Sequence, residues 1–420
     1  MKNYRTGRSG RIVLWLVSML SSAAVMAQSH DAHVELVVSQ QLSLSDVIAA
    51  AIEYAPEALL KEAHGEQARA YSNLAKGLTP GQATWQASYL ADDWTDGQGV
   101  SETELGLEMS LWRFNERRLT SELSESHERR TEAFDGFLRW LAAGRVRTAV
   151  AAVAAAELEL EREQALSENL TEIRQTVGQL VAAGELAELE LLRIEAELFE
   201  QQIAVLNANA AVVVAHREYQ VITGLDAIPA FIEEELGEER ETVPSTHPLL
   251  LLLASEFDIA SRDSKRLAVS SLNRSTVNVG VRREQAGAML PHNDTIGFGV
   301  TIPLGGKRQS RPIVADARAA ATRVEVELHS TKRELERQLH EAEHELSVNT
   351  EARKISEARL VLAERRVEMA LTAFDEAEID LEQVLRIRAQ LVEVARAHDS
   401  LFKEQQALIA QYNQAVGEVP

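Results

Sequence analysis

Thr276-Val277-Asn278-Val279-Gly280-Val281-Arg282 is the stretch whose reading decides the fold, together with its companion Thr295-Ile296-Gly297-Phe298-Gly299-Val300-Thr301-Ile302. Apolar residues alternate with small or polar ones in both. A period of two gives each strand one apolar face. A soluble sandwich strand has this pattern, and so does a membrane-barrel strand with lipid outside and water inside. The next segment separates the two readings. After Gly305-Gly306-Lys307 one helical pattern runs for about 65 residues, roughly 100 Å at 1.5 Å per residue. A strand pair feeding such a helix is not an ordinary globular layout.

The same arrangement occurs upstream. Trp85, Ala87 and Tyr89 alternate with Thr84, Gln86 and Ser88, and a second strand sets Leu105, Leu107, Met109 and Leu111 on one side. A helical pattern over 43–76 precedes this pair, capped by Ser43 or Ser45. A long helical pattern follows it, from Asn115 to Thr223. The two halves align with a nearly constant offset. Thr276-Val277-Asn278-Val279 lies 192 residues after Thr84-Trp85-Gln86-Ala87, and Tyr412 and Gly417 lie 193 after Tyr219 and Gly224. Ordered anchors at one spacing indicate a duplication. Each unit is helix, strand, strand, long helix, turn, long helix. The expected layout is a first repeat over 42–224 (strands 82–91 and 103–112) and a second over 248–417 (strands 275–283 and 294–303). A surface linker, 225–247, joins them, and 418–420 form a tail.

Along the last long helical region Leu339, Leu346, Leu360, Val367 and Phe374 fall at multiples of seven, with Arg353 interrupting. This is a coiled-coil seam whose helix needs neighbours. Each unit has a midpoint turn: Ala182-Ala183-Gly184-Glu185-Leu186 in the first, and Phe374-Asp375-Glu376-Ala377-Glu378-Ile379, without the glycine, in the second.

The segment 1–27 reads as a secretory signal: Lys2, Arg5, Arg8 and Arg11, an apolar run from Ile12 to Val25, and a Val25-Met26-Ala27 cleavage site. A polar leader, 28–41, follows. No later stretch approaches 18 apolar residues, so any membrane contact is expected through strands. There is no cysteine, which removes disulfides, thiolate metal sites and a lipid-attachment cysteine. The 43 Lys+Arg and 65 Asp+Glu give a formal charge of −22; losing the signal removes four bases and makes it −26. An acidic chain excludes nucleic acid as the expected partner.

The signal, the duplicated plan and the paired turns A-G-E-L-x-x-x-x-L-L (Ala183 to Leu192) and A-E-I-x-x-x-x-V-L (Ala377 to Leu385) resemble the TolC-type outer-membrane efflux channels, from about Leu42 to Gly417. The resemblance implies a mainly α fold with a small β part, assembled as a homotrimer. Each chain would give four strands to one 12-stranded barrel in outer-membrane lipid, and its long helices to a periplasmic tunnel narrowing near Gly184 and Ala377. It further implies the passive exit duct of a tripartite pump, docked to a periplasmic adaptor (membrane fusion) protein and an inner-membrane efflux transporter. The short chain without a lipid cysteine is more similar to the heavy-metal cation branch.

Around the turns the chain concentrates acids: Glu185, Glu188 and Glu190 in the first; Asp375, Glu376, Glu378, Asp380 and Glu382 in the second. In a trimer such residues would form threefold rings that favour cations. Members of the family often carry an aspartate where this chain has Arg193 and Arg386, which are placed to form inter-helix salt bridges. Trp94 and Trp112, near strand ends, fit either a membrane interface or packing. His340-Glu341-Ala342-Glu343-His344 matches the zinc-protease H-E-x-x-H pattern, but the helix runs on where a third ligand is needed, so no metal site and no enzyme are expected. His30 and His33 belong to the polar leader. No cofactor motif is present. The competing reading, a soluble periplasmic adaptor or coiled-coil scaffold, would not repeat a strand pair at this constant offset.

Overall fold

The computed structural model describes residues 36–92, 97–184, 187–230, 234–376, 378–379 and 381–420. The signal, most of the leader with His30 and His33, and Trp94 lie outside them. In chain order the elements are β1 (Val37–Ser39), α1 (Leu44–Tyr54), α2 (Ala58–Lys76), β2 (Thr84–Ala91), β3 (Val100–Ser110), α3 (Glu116–Ala182) and α4 (Glu188–Thr223). There follow β4 (Ala227–Pro229), α5 (Pro248–Ser270), β5 (Thr276–Ala286), β6 (Asn293–Thr301), α6 (Lys307–Asp375) and α7 (Leu381–Val416). The duplicated helix–strand–strand–long helix–long helix plan is present. α3 and α6 have 67 and 69 residues, about 100 Å each.

The first helical pattern is two helices rather than one. Pro56 forces Ala55 extended (φ −70°, ψ 123°), so α1 stops and α2 starts anew. Ser43 caps α1: the Asp46 amide donates to Ser43 Oγ at 3.2 Å, and the Ser43 amide donates back to the Asp46 carboxylate at 3.0 Å. At the strand-to-helix corners the backbone is left-handed in both units, at Asn115 (φ 65°) and at Gly305 and Gly306 (φ 89° and 95°). α6 starts before Pro312 and carries it in its second turn.

β2, β3, β5 and β6 form one antiparallel sheet in that order. β3 joins β5 across the duplication, with Leu107 opposite Val279 and Gly106 opposite Gly280. Among the described residues β2 and β6 each keep an unpaired edge, so the sheet of one chain does not close a barrel.

Each long helix pairs with its successor, α3 with α4 and α6 with α7; α2 and α5 lie on α3, and α5 also on α6. Within α6 the apolar seam Leu339, Leu346, Leu360 and Val367 is half-buried or better. A parallel row of Leu335, Ala342, Asn349, Ser356 and Ala370, also at multiples of seven, is buried more completely. Small residues bring α7 close. Asn349 fills its place by donating to the Leu401 carbonyl at 3.2 Å, and the Arg353 guanidinium lies 4.8 Å over the Phe402 ring.

The segment joining the repeats runs over the surface, with Glu235, Leu236, Glu238 and Glu239 exposed, but it is tied down at several points. β4 pairs in parallel with β1. Arg147 of α3 holds Glu234 through two bonds of 2.6 and 2.8 Å, and donates to Gln414 Oε1 at 2.6 Å and the Glu418 carbonyl at 3.1 Å. Asn413 binds Glu234 and the Glu235 carbonyl. The repeat-related tyrosines act alike: Tyr219 donates to the Ala227 carbonyl and Tyr412 to the Glu238 carbonyl, each at 2.9 Å.

The packing of α2 on α3 uses a buried histidine. His127 stacks on Tyr71 with ring centres 4.7 Å apart. Burial pushes its pKa down to about 4, and nearby Arg130 adds to the shift; burial does the same to His247, also to about 4. A depressed histidine pKa leaves stability unchanged above about 6.5. Stability is then lost as pH falls from about 6.5 to about 4, by at most about 3 kcal/mol per histidine. The melting temperature should therefore drop over that window, and His127→Gln should flatten the drop. An equal drop in the variant would show that His127 is not responsible.

Candidate functional site

The sheet has two chemically opposite faces. On one, register partners form apolar rows: Met109, Val277 and Val300; Trp85, Leu107, Val279 and Phe298; Ala87, Leu105, Val281 and Ile296. Trp85, Phe298, Ile296 and Val300 are exposed in the single chain. Leu111 and Ile302 continue this face at one end. At the other end Tyr89 and Thr103 lie level with Arg283 and Asp294, which are paired at 2.7 Å. From Leu111 to the Tyr89 row is four steps of two residues, about 27 Å along a strand and about 20 Å once tilted, near the height of a membrane barrel's apolar band.

The opposite face is polar: Thr84, Glu108, Asn278 and Gly299; Ser88, Glu104, Arg282 and Thr295; Leu90, Glu102, Glu284 and Asn293. Arg282 meets Glu102 at 2.7 Å. Between these rows lies Gln86 with Gly106, Gly280 and Gly297. A Cβ at Gly280 would stand 2.9 Å from the Leu105 carbonyl oxygen, so this crossing of β3 and β5 requires glycine. Trp112 donates its indole N–H to the Gly77 carbonyl at 3.1 Å, a packing role at the sheet-to-helix corner.

Both midpoint turns lie at the far ends of the hairpins from the sheet. In the first, Gly184 is left-handed (φ 75°), as a helix terminus prefers. Glu188 and Glu190 occupy the first turn of α4, exposed, where the helix dipole favours acids. Glu185 lies outside the described residues. Arg193 meets Glu197 at 3.6 Å along its own helix, whereas the ion pair that joins α3 to α4 nearest this turn is Arg174 to Glu195 at 2.8 Å.

The second turn has no glycine. It closes by the Glu376 amide donating to the Thr372 carbonyl at 3.1 Å and the Glu378 amide to the Ala373 carbonyl at 2.8 Å. Glu376 and Glu378 are exposed. Asp375 ends α6 and Glu382 belongs to the first turn of α7; Ala377 and Asp380 lie outside the described residues. Arg386 lies above the turn, in a groove it shares with Glu168 and Glu172 of α3 and Arg359 and Arg366 of α6. The two arginines marked by the sequence therefore stand apart, one along α4 and one between the hairpins.

His340, Glu341 and His344 are placed along unbroken α6, and Glu341 is tied to Arg337 at 2.7 Å. Among the described residues no group of three His, Cys, Asp or Glu is placed to hold a metal. One feature of α4 escaped the sequence reading. An 18-residue window of it has mean hydropathy 1.3, enough by length and composition to cross a membrane, yet only 17% of that window is buried. Alanine and valine supply that value together with Leu198, Phe199, Ile203 and Leu206.

No family model and no curated protein matches the sequence. Solved structures do match in fold. The outer membrane protein VceC from Vibrio cholerae superposes with a TM-score of 0.68 at 14% identity, over 90% of this chain and 96% of its own. CusC, described in terms of folding and transmembrane channel formation, gives 0.67 at 12% identity, over 91% and 93%. The Neisseria gonorrhoeae MtrE outer membrane channel in its open state gives 0.64 at 14% identity, over 92% and 91%. The chain has the fold of the TolC-type outer-membrane channels.

Proposed function

We propose that this chain works as a channel through the outer membrane of a Gram-negative bacterium, as the names of its structural relatives describe outer-membrane channels, and further that it is the exit duct of an efflux pump. The observation that carries the reading is the four-stranded sheet, with an apolar band of membrane height on one face, a polar opposite face and two unpaired edges, continuous with helices of about 100 Å. Three copies supply 12 strands, enough to close a barrel around an aqueous lumen. The apolar rows then face outer-membrane lipid, and the rows with Glu102, Glu104, Glu108 and Glu284 face water. The helices extend into the periplasm and form a tunnel. Nothing in this scheme is chemical catalysis. Cargo, metal cations or small toxic compounds, passes through the duct passively, with energy supplied by an inner-membrane transporter acting through a periplasmic adaptor. The protein is exported by a cleaved signal and, without a cysteine, is not lipidated.

Fractionation tests this directly. The protein should be in the outer-membrane fraction and run as a heat-sensitive trimer on an unboiled gel. A freely soluble periplasmic monomer would sink the duct and leave the adaptor or scaffold reading.

The turns are the narrow end in this scheme. Glu185, Glu188 and Glu190 of the first, and Asp375, Glu376, Glu378, Asp380 and Glu382 of the second, become threefold carboxylate rings that admit cations. Replacing Glu376 and Glu378 by glutamine should lower the cation-over-anion permeability ratio several-fold, read from reversal potentials in planar bilayers under a salt gradient. An unchanged ratio would move the selectivity elsewhere in the duct.

A further inference from the structure

The sheet meets the helices at four corners: α2 into β2, β3 into α3, α5 into β5 and β6 into α6. The strand register puts all four at one level, just beyond the end of the apolar face. Thr84 is opposite Glu108, Ser110 is opposite Thr276, and Thr276 is opposite Thr301. The stretches 68–77, 112–121, 266–275 and 303–312 cover the corners. Together they hold 10 of the chain's 43 bases and 1 of its 65 acids. A chain of charge −22 thus becomes strongly basic where its strands turn into helices.

Most of these bases find no counter-charge in the chain. The single acid, Glu116, is 1% exposed and is held by Arg274. Arg118 and Arg266 pair with Glu122 and Asp263 along their own helices. Arg113 and Arg117 donate to the carbonyls of Asn273 and Ala75, which carry no full charge. Lys76, Lys307, Arg308 and Arg311 are exposed, and among the described residues none of the four forms an ion pair. Like charges gathered in this way repel one another until something anionic covers them. Apolar side chains stand among the bases. Leu78, Phe114 and Leu304 are 93%, 90% and 94% exposed. Each belongs to a different corner and lies within three residues of a base. A water-filled lumen offers such side chains nothing. A membrane–water boundary suits both kinds: apolar groups enter the acyl edge, and long cationic side chains lay their stems on it with their heads among the headgroups.

We infer that this belt binds the phosphodiester headgroups of anionic phospholipids in the leaflet nearest the helices. Lys76, Lys307, Arg308 and Arg311 meet the phosphates, and Leu78, Phe114 and Leu304 enter the acyl boundary beside them. A zwitterionic headgroup carries its own cation and leaves the belt's charge uncovered, whereas an anionic one neutralises it through charge-assisted hydrogen bonds. The inference rests on the duct reading, because that reading puts this end of the sheet at the periplasmic leaflet. The belt then sets the depth of the barrel, since sliding along the membrane normal would part the bases from the phosphates.

Lipid selectivity tests this. The protein is reconstituted in dioleoylphosphatidylcholine vesicles with a trace of spin-labelled phosphatidylglycerol or spin-labelled phosphatidylcholine. The motionally restricted fraction in the electron spin resonance spectrum reports each lipid's association with the protein. Phosphatidylglycerol should be preferred several-fold, and the preference should shrink as salt rises from about 0.1 M to about 0.5 M. Replacing Lys76, Lys307, Arg308 and Arg311 together by glutamine should bring the two lipids close to parity. Lys307→Gln with Arg308→Gln, a milder variant should the first not fold, should remove part of the preference. Glutamine at Arg323, Lys332, Arg333 and Lys354, the same loss of charge further along α6, should leave it unchanged. Equal association of the two lipids with the unaltered trimer would overturn the belt and leave the duct reading standing. So would a preference that survives the belt substitutions while the reversal potential under a salt gradient shifts, since the bases would then face the lumen. Failure of the unaltered protein to insert as a heat-sensitive trimer would instead defeat the duct reading, and the belt with it.

Discussion

Replacing Arg147 by alanine is expected to remove about 3–5 kcal/mol of stability, because a buried carboxylate is left without its counter-charge. The side chains of Arg147 and Glu234 are only 6% and 9% exposed, and their contact is bidentate. Arg147 also binds Gln414 and the Glu418 carbonyl. One guanidinium thus holds three separated parts of the chain: the middle of α3, the segment between the repeats and the end of α7. The loss should appear in the denaturation midpoint of detergent-solubilised protein. Arg147→Met combined with Glu234→Met should recover much of it, since neither charge is then buried alone. A single variant within about 1 kcal/mol of wild type would mean that solvent reaches the pair, against the burial seen here.

Val279→Arg is expected to abolish assembly in the outer membrane. Val279 is in the central apolar row, between Leu107 and Phe298. In a bilayer an arginine there costs about 2–4 kcal/mol per chain, and threefold assembly would triple the cost. Asn278→Arg, one residue away, points to the polar face and should be tolerated. The readout is the fraction of heat-sensitive trimer in outer-membrane extracts. Equal tolerance of the two substitutions would mean that the apolar rows do not face lipid.

The strands and the duplication were legible in the sequence because a period of two and a fixed offset survive without tertiary context. Val277 to Val281 and Ile296 to Ile302 announce a face whatever covers it. The split at Pro56 was legible only in part: Pro56, like Pro248, marks a helix start, but the apolar stripe continues across it and makes 43–76 read as one pattern, and proline's restraint on Ala55 decides the matter locally. The second row of α6 was invisible for another reason: Ala342, Asn349, Ser356 and Ala370 are buried for their small size or their hydrogen bonds, and a hydrophobic pattern does not count them. The clasp around Arg147 depends on positions 147, 234 and 413–418, which no local pattern relates. At the turns the acids were legible as composition, but their placement was not. Arg193 and Arg386 occupy related positions in the repeat, yet only Arg386 lines the groove between the hairpins.

The two raw edges of the sheet carry a consequence for biogenesis. Hydrocarbon offers no hydrogen bonds, so the unpaired backbone along β2 and β6 cannot rest in a bilayer as a lone subunit. Residence in the membrane then belongs to the assembly rather than to the chain. The appearance of inserted channels should follow a reaction order above one in subunit concentration: halving the supply of chains should cut the initial rate of channel formation by well over half. A cell making this protein sparingly would accumulate periplasmic intermediates, with their apolar rows and strand edges open to capture by chaperones or by one another.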